Sequence, residues 1–150
     1  MKKIFAVLTA LIMLISVAGC NSEKGFENTE WGMTVAEVNE VTERTLHTDA
    51  SGNVFTNEPG EVDGIPSEIV KVESIQYCFG EDKGLSEVVL DTVPADRSNF
   101  DTTMQALKKH YDGIYTFRKL DGNSYIWDTD FGSVTVSPFN SVIKIGFSQK

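Results

Sequence analysis

The sequence predicts an α+β fold in which two helices pack on one face of a twisted antiparallel β-sheet, in the order α-β-β-α-β-β-β-β. Two segments carry apolar residues at helical spacing, and six shorter segments read as strands from their apolar character and partial alternation. The connections are short and rich in Gly, Asp and Asn, which favours antiparallel neighbours and a two-layer domain. A helix followed by strands occurs twice, although no residue-level repeat accompanies it.

The first helix is predicted over residues 35–46. Thr34 and Glu37 are three residues apart, which is the capping-box pattern of a helix start. Met33 and Val38 occupy the positions of a hydrophobic staple, in which a residue before the cap packs on the fourth helical residue.

Residues 48–67 are predicted to form a long acidic loop, within which Val54 and Phe55 could make a short strand. A connection of this length is unusual in a compact domain, so it is expected to be either mobile or functional. The candidate binding residues on this loop are Asp49, Glu58, Glu61 and Asp63.

The first part of this loop, Asp49-x-Ser51-x-Asn53, resembles the start of a calcium-binding loop. The resemblance then fails, because Val54 stands where such a loop needs glycine and Gly60 where it needs a bidentate glutamate. No Cys or His lies at ligand spacing, so no metal site is predicted.

A hairpin and a second helix are predicted next. The two strands of the hairpin are Ile69–Phe79 and Leu85–Val93, which are separated by a turn cluster. The second helix is predicted to begin near Ser98 or Asn99 and to end before Gly113. Its apolar stripe has helical offsets and consists of Phe100, Met104, Leu107 and Tyr111.

Four short strands complete the predicted sheet, and they cover Ile114–Leu120, Ser124–Asp128, Ser133–Ser137 and Val142–Ser148. Aromatic side chains concentrate on the first two of these strands. The candidate binding surface consists of Tyr115, Phe117, Tyr125 and Trp127. One interpretation is an exposed platform for a protein or glycan, and the other is ordinary packing in the core of the sheet.

The N-terminus has the pattern of an export signal. A basic start and an apolar run over residues 4–15 precede Val17-Ala18-Gly19-Cys20, which resembles the bacterial lipobox. The resemblance implies that residues 1–19 are removed and that Cys20 is lipidated. It also implies a tether over residues 20–30, followed by a single domain over residues 31–150.

A lipidated Cys20 would make the membrane a partner, because two or three acyl chains hold a protein almost permanently. The protein would then lie outside the cytoplasm, on the cell membrane or the outer membrane. A plain secretory signal and a short N-terminal anchor are the alternatives. Lipidation would also leave Cys78 without a disulfide partner, as an inert buried thiol, a reactive thiol or one half of an intermolecular bond.

Charge excludes one class of partner. From Cys20 onwards the chain has 22 acidic and 11 basic residues, which is a formal charge of −11. A domain this acidic repels phosphate backbones, so nucleic acid is not an expected partner.

Residues 31–38, Trp-Gly-Met-Thr-Val-Ala-Glu-Val, resemble a helix opening of small exported bacterial domains. These include the β-lactamase-inhibitor-like folds and the small outer-membrane-assembly lipoproteins. The resemblance implies a binding module built from a helix and an antiparallel sheet. It carries over no functional residue and no particular partner.

No phosphate loop, dinucleotide fingerprint or nucleophile signature is present in the sequence, so neither an enzyme nor a cofactor is expected. The leading hypothesis is a lipid-anchored, non-enzymatic binding or scaffold module whose partner is another protein of the cell envelope. The alternative is an inhibitor or immunity-type protein that blocks an exported enzyme through the loop over residues 48–67. A small hydrolase is the third hypothesis, and it would need Ser, His and a carboxylate brought together in space.

Overall fold

A computed structural model describes residues 24–96 and 99–150. The described chain forms two α-helices and one antiparallel sheet of eight strands. The α+β class and both helices are confirmed, whereas the predicted order of elements is not. The predicted signal peptide over residues 1–19 and the lipidation site Cys20 lie outside the described residues.

The chain runs through a helix and four strands twice. The first half consists of α1 (Val35–Val41), β1 (His47–Thr48), β2 (Val54–Thr56), β3 (Val70–Phe79) and β4 (Leu85–Pro94). The second half consists of α2 (Phe100–Asp112), β5 (Thr116–Asp121), β6 (Ser124–Asp128), β7 (Gly132–Phe139) and β8 (Val142–Gln149). The strand order is β1-β2-β3-β4-β8-β7-β6-β5, and the two halves are joined by the pairing of β4 with β8. In each half the first strand lies at an edge of the sheet and the last strand lies at its centre.

Two strands of the first half are missing from the predicted order, because the region predicted as one acidic loop contains a hairpin. β1 pairs with β2, and Asp49 holds the turn between them. Its Oδ1 accepts hydrogen bonds from the backbone N–H groups of Ser51 at 2.8 Å and Asn53 at 3.0 Å. These contacts form an Asx-type turn, which accounts for the calcium-like spacing without a metal ion. The short strand predicted at Val54 and Phe55 is confirmed as β2, whereas β1 has only two residues and is too short for alternation to reveal it.

Helix α1 begins as predicted and ends early. The capping box is present, since Thr34 N–H donates to Glu37 Oε2 at 2.7 Å and Glu37 N–H donates to Thr34 Oγ1 at 3.4 Å. The helix was predicted to reach Leu46, but it ends at Val41. Three residues later, Arg44 forms hydrogen bonds with Glu27 and with the loop over residues 59–61. The chain leaves the helix to make these contacts.

One face of the sheet is the core face. Val88, Phe147, Val134 and Trp127 lie directly opposite one another across four strands, and each is at most 7% exposed. Helix α2 packs on this face, with the Tyr111 ring 5.4 Å from the ring of Trp127. Val38 of α1 belongs to the same buried cluster.

The folded domain begins before the predicted boundary at Trp31. Phe26 is 5% exposed, and its ring lies 4.9 Å from that of Phe147 on β8. Lys24 and Glu30 form an isolated antiparallel bridge that closes this segment. The predicted tether over residues 20–30 is therefore wrong for residues 24–30. A single buried aromatic within a polar stretch anchors the segment, and local composition does not reveal that contact.

Candidate functional site

The face of the sheet opposite the core, which we call the open face, is the most extended candidate surface. One row of directly opposed residues crosses six strands and consists of Phe55, Gln76, Val89, Gly146, Thr135 and Ile126. Apart from Gly146, which is buried, the residues in this row are partly exposed, unlike the buried rows of the core face. The helices contribute their buried residues to the other side of the sheet, so within residues 24–96 and 99–150 neither helix covers the open face.

Polar groups on the open face are paired across neighbouring strands. Lys144 Nζ lies 2.7 Å from Asp91 Oδ1, and Arg118 Nε donates to Asp128 Oδ1 at 2.7 Å. Between β7 and β6, Ser137 and Ser124 share a hydrogen bond of 2.7 Å. These pairs leave the charged groups of this face largely neutralised. Such a surface can be desolvated at low electrostatic cost.

A depression of about 260 Å³ lies at the β2–β4 end of the open face. It is lined by Asp49, Phe55, Ser74, Gln76, Val89 and Asp91. Asp49 therefore belongs to the open face, where Gln76 Nε2 donates to its Oδ2 at 3.1 Å.

Cys78 lies on the same face and is half-buried. It stands opposite Glu87 on β4. Burial raises the pKa of the Cys78 thiol to about 11, and the negative charges of Glu87 and Asp49 add to the effect. The thiol therefore stays protonated near neutral pH, which supports the prediction of an inert residue over that of a reactive one.

We expect Cys78 to react slowly with alkylating reagents in the folded protein. With a pKa of about 11, the thiolate fraction at pH 8 is about one in a thousand, whereas a free cysteine is about one-quarter ionised. Iodoacetamide labelling of a Cys20→Ala variant, in which Cys78 is the single thiol, should rise about tenfold per pH unit between pH 7 and 10. Labelling in urea should be fast at pH 8. Equal rates in the folded and unfolded protein would contradict the assignment.

The predicted aromatic surface is mostly the edge of the core. Trp127 is fully buried, and its Nε1 donates to Asp112 Oδ1 at 3.0 Å. Tyr115 and Tyr125 are partly buried, and Phe117 is 40% exposed. Phe117 and Trp127 are directly opposite each other on β5 and β6, so the aromatics of both strands share the core face. An exposed platform is therefore wrong for Trp127, since packing against α2 covers it.

The remaining predicted acidic residues form a separate group. Glu58, Glu61 and Asp63 are exposed in the loop between β2 and β3, away from the turn that contains Asp49. Arg44 fixes this loop, because its Nε donates to Pro59 O at 2.7 Å and its Nη2 donates to Glu61 O at 3.0 Å.

Glu27 completes the anchor of this loop. Arg44 Nη2 donates to Glu27 Oε1 at 3.0 Å, and the side chains of the pair are only 15% and 11% exposed. The hydrogen bond to Glu27 raises the pKa of Arg44. The loop is thus held against the body of the domain, which is not the projecting segment that the inhibitor hypothesis requires.

A groove of about 630 Å³ separates this loop from the first part of β3. Its apolar lining residues are Val62, Ile65, Val70 and Val72. Its charged lining residues are Glu61, Asp63, Lys71 and Glu73. The sequence gives no direct signal for this groove, because it forms where two segments diverge in space.

Charge is distributed unequally between the two halves of the sheet. Residues 24–96 contain 16 acidic and 4 basic side chains, a formal charge of −12. Residues 99–150 contain 5 acidic and 6 basic side chains, a formal charge of +1. The acidity of the whole chain is thus a property of the half that carries the groove.

The described residues contain no cluster of His, Cys, Asp and Glu that could hold a metal ion. His47 lies on β1 with its ring 5.7 Å from Phe55, and His110 lies in the last turn of α2. None of the helices in the described ranges is long and apolar enough to cross a bilayer.

No protein-family model, curated protein or solved structure matches the chain. The functional proposal therefore rests on the geometry and charge of the domain itself.

Proposed function

We propose that the chain is a lipid-anchored, non-enzymatic binding module of the cell envelope and that the open face receives its partner. The observation that carries this proposal is the sheet itself. One face is buried beneath α2 and the segment around Phe26, whereas the other keeps a partly exposed row across six strands. A sheet of this width, with one face that the helices of the described chain leave uncovered, offers an extended binding surface.

The chemistry of the open face favours a protein partner. Hydroxyl groups and neutralised ion pairs occur along this face, while Phe55, Val89 and Ile126 supply apolar contact. A protein loop can satisfy both kinds of group at once. The charge of −12 on residues 24–96 disfavours nucleic acid and an anionic lipid surface.

The anchor would place this domain close to the bilayer. Because Lys24 already belongs to the folded domain, four residue steps separate it from Cys20, and they span at most about 14 Å. Partners would therefore be met at the membrane surface. With this anchor, the domain would not reach partners far from the membrane surface.

Site-specific photocrosslinking in cells tests the proposal. A benzophenone side chain at Thr135, in the centre of the open face, should give a discrete crosslinked species with an envelope protein. The matched control is the same group at Lys109, which is exposed on α2. Crosslinks of equal yield from both positions, or from Lys109 alone, would contradict the assignment of the surface.

Metabolic labelling tests the lipid anchor. A clickable fatty acid should label the wild-type chain and leave a Cys20→Ala variant unlabelled. The variant should also lose its membrane association and the crosslink from Thr135. Equal fatty-acid labelling of both chains would refute lipidation at Cys20 and leave the assignment of the open face standing.

A further inference from the structure

The groove beside β3 contains an uncovered strand edge. β2 pairs with β3 only at residues 75–77, whereas β4 pairs with β3 along residues 70–79. Upstream of Ile75 the chain between β2 and β3 bows away from the sheet and leaves the space of about 630 Å³. Among the described strands, the first part of β3 therefore has a partner on one side only.

Backbone groups of β3 face this space. Val70 N–H donates to Pro66 O in the loop at 3.0 Å, so it points away from β4. Ile69 O accepts from Ala95 N at 3.0 Å on the β4 side. Since N–H groups alternate in direction along a strand, Val72 N–H also points away from β4, on the side of β3 where the groove lies.

The opposite wall of the groove is held in place. Arg44 bonds the carbonyl groups of Pro59 and Glu61, and Asp63 N–H donates to Glu27 Oε1 at 3.3 Å. The groove therefore exists before any ligand arrives. A preformed site lowers the entropy that a ligand must lose on binding.

The side chains around the groove indicate which kind of peptide could bind there. Val62, Ile65 and Val72 provide apolar contact for alternate side chains of an extended segment. Three of the charged residues that line the groove, Glu61, Asp63 and Glu73, are acidic, and the one basic residue among them, Lys71, is paired with Glu73 at 2.9 Å. The net charge of the groove is therefore negative.

We propose that this groove binds an extended, lysine- or arginine-containing peptide segment of another protein, which adds as a strand to the edge of β3. Main-chain hydrogen bonds to β3 would supply affinity, and the apolar floor and acidic rim would supply specificity. This site is separate from the open face and does not depend on the lipid anchor.

A synthetic probe tests strand addition directly. The probe is a fluorescent, acetylated hexapeptide of alternating valine and lysine, which is titrated against the full-length chain in detergent micelles. Anisotropy should show saturable binding that weakens with salt, and hydrogen exchange should slow in residues 70–74. Replacement of the three lysines by glutamate should weaken binding at least tenfold.

Two N-methylated peptides isolate the backbone contribution. One is methylated at the valine nitrogens and the other at the lysine nitrogens, so only one of them loses the donors that face β3. That peptide should bind about tenfold more weakly than the other. Equal affinity of the two peptides would overturn strand addition.

Matched protein variants test whether the carboxylates of the groove are the ones that bind the peptide. Glu61→Gln/Asp63→Asn should weaken binding of the lysine peptide about fivefold, whereas Glu40→Gln/Glu81→Gln removes the same charge from exposed sites elsewhere and should leave binding unchanged. Equal effects of the two double variants, or slowed exchange around Thr135 in place of residues 70–74, would overturn the proposal.

Discussion

Substitution of Trp127 by alanine is expected to lower the free energy of unfolding by about 4 kcal/mol. Trp127 is fully buried between β5, β7 and α2, with the rings of Tyr111 and Phe117 at 5.4 and 5.9 Å. Truncation removes this apolar contact and leaves a cavity. It also removes the N–H group that donates to Asp112. Urea unfolding followed by far-ultraviolet circular dichroism measures the loss.

The matched control is Phe117→Ala, in the residue directly opposite on β5. Phe117 is 40% exposed, so we expect a loss of about 1 kcal/mol, which includes its contact with Lys108 at 4.3 Å. If Trp127→Ala does not fold, Trp127→Phe should fold with reduced stability. If the Trp127→Ala protein were as stable as wild type, Trp127 would be an exposed surface residue and its burial in the core would be wrong.

Loss of the Arg44 guanidinium is the second large effect. Arg44→Met should cost about 3 kcal/mol, because Glu27 would remain as an unpaired charge in a site where it is 11% exposed. The substitution also leaves the carbonyl groups of Pro59 and Glu61 without their donor. Thermal unfolding should shift downward by roughly 10 °C.

Two comparisons isolate the cause. Lys71→Met breaks an ion pair whose side chains are 72% and 46% exposed, and it should change stability by less than about 0.5 kcal/mol. Glu27→Leu/Arg44→Met should be more stable than Arg44→Met alone, because no buried charge is left unpaired. Similar losses for Lys71→Met and Arg44→Met would show that the pair near residue 27 does not anchor the fold.

Local signals account for the elements that were predicted correctly. Helix α2 combines an apolar stripe with Asn99 as its cap, whose Oδ1 accepts from Thr102 N at 2.8 Å. β6 has the predicted bounds, and β3 and β4 differ from them by one residue at one end. In each case, capping, turn residues and periodicity agree within one short window of sequence.

The candidate sites were harder to predict, because they depend on which strand lies beside which. The aromatic residues of β5 and β6 were identified, but their alternation is equally compatible with either face of the sheet. Only the packing of α2 on one face makes Trp127 a core residue. The acidic residues were likewise identified, yet the β1–β2 hairpin places Asp49 on the open face, and only Glu61 and Asp63 lie beside the groove.

The sequence by itself determined the fold class, both helix starts, the long strands and the acidity of the chain, since each depends on residues close together along the chain. Tertiary structure alone decided the burial of Phe26 against Phe147, the pinning of the loop by Arg44 and the uncovered edge of β3. These features join segments that are 15 to more than 100 residues apart. Such contacts leave no period or motif in the sequence, because they are selected by the shape of the assembled sheet.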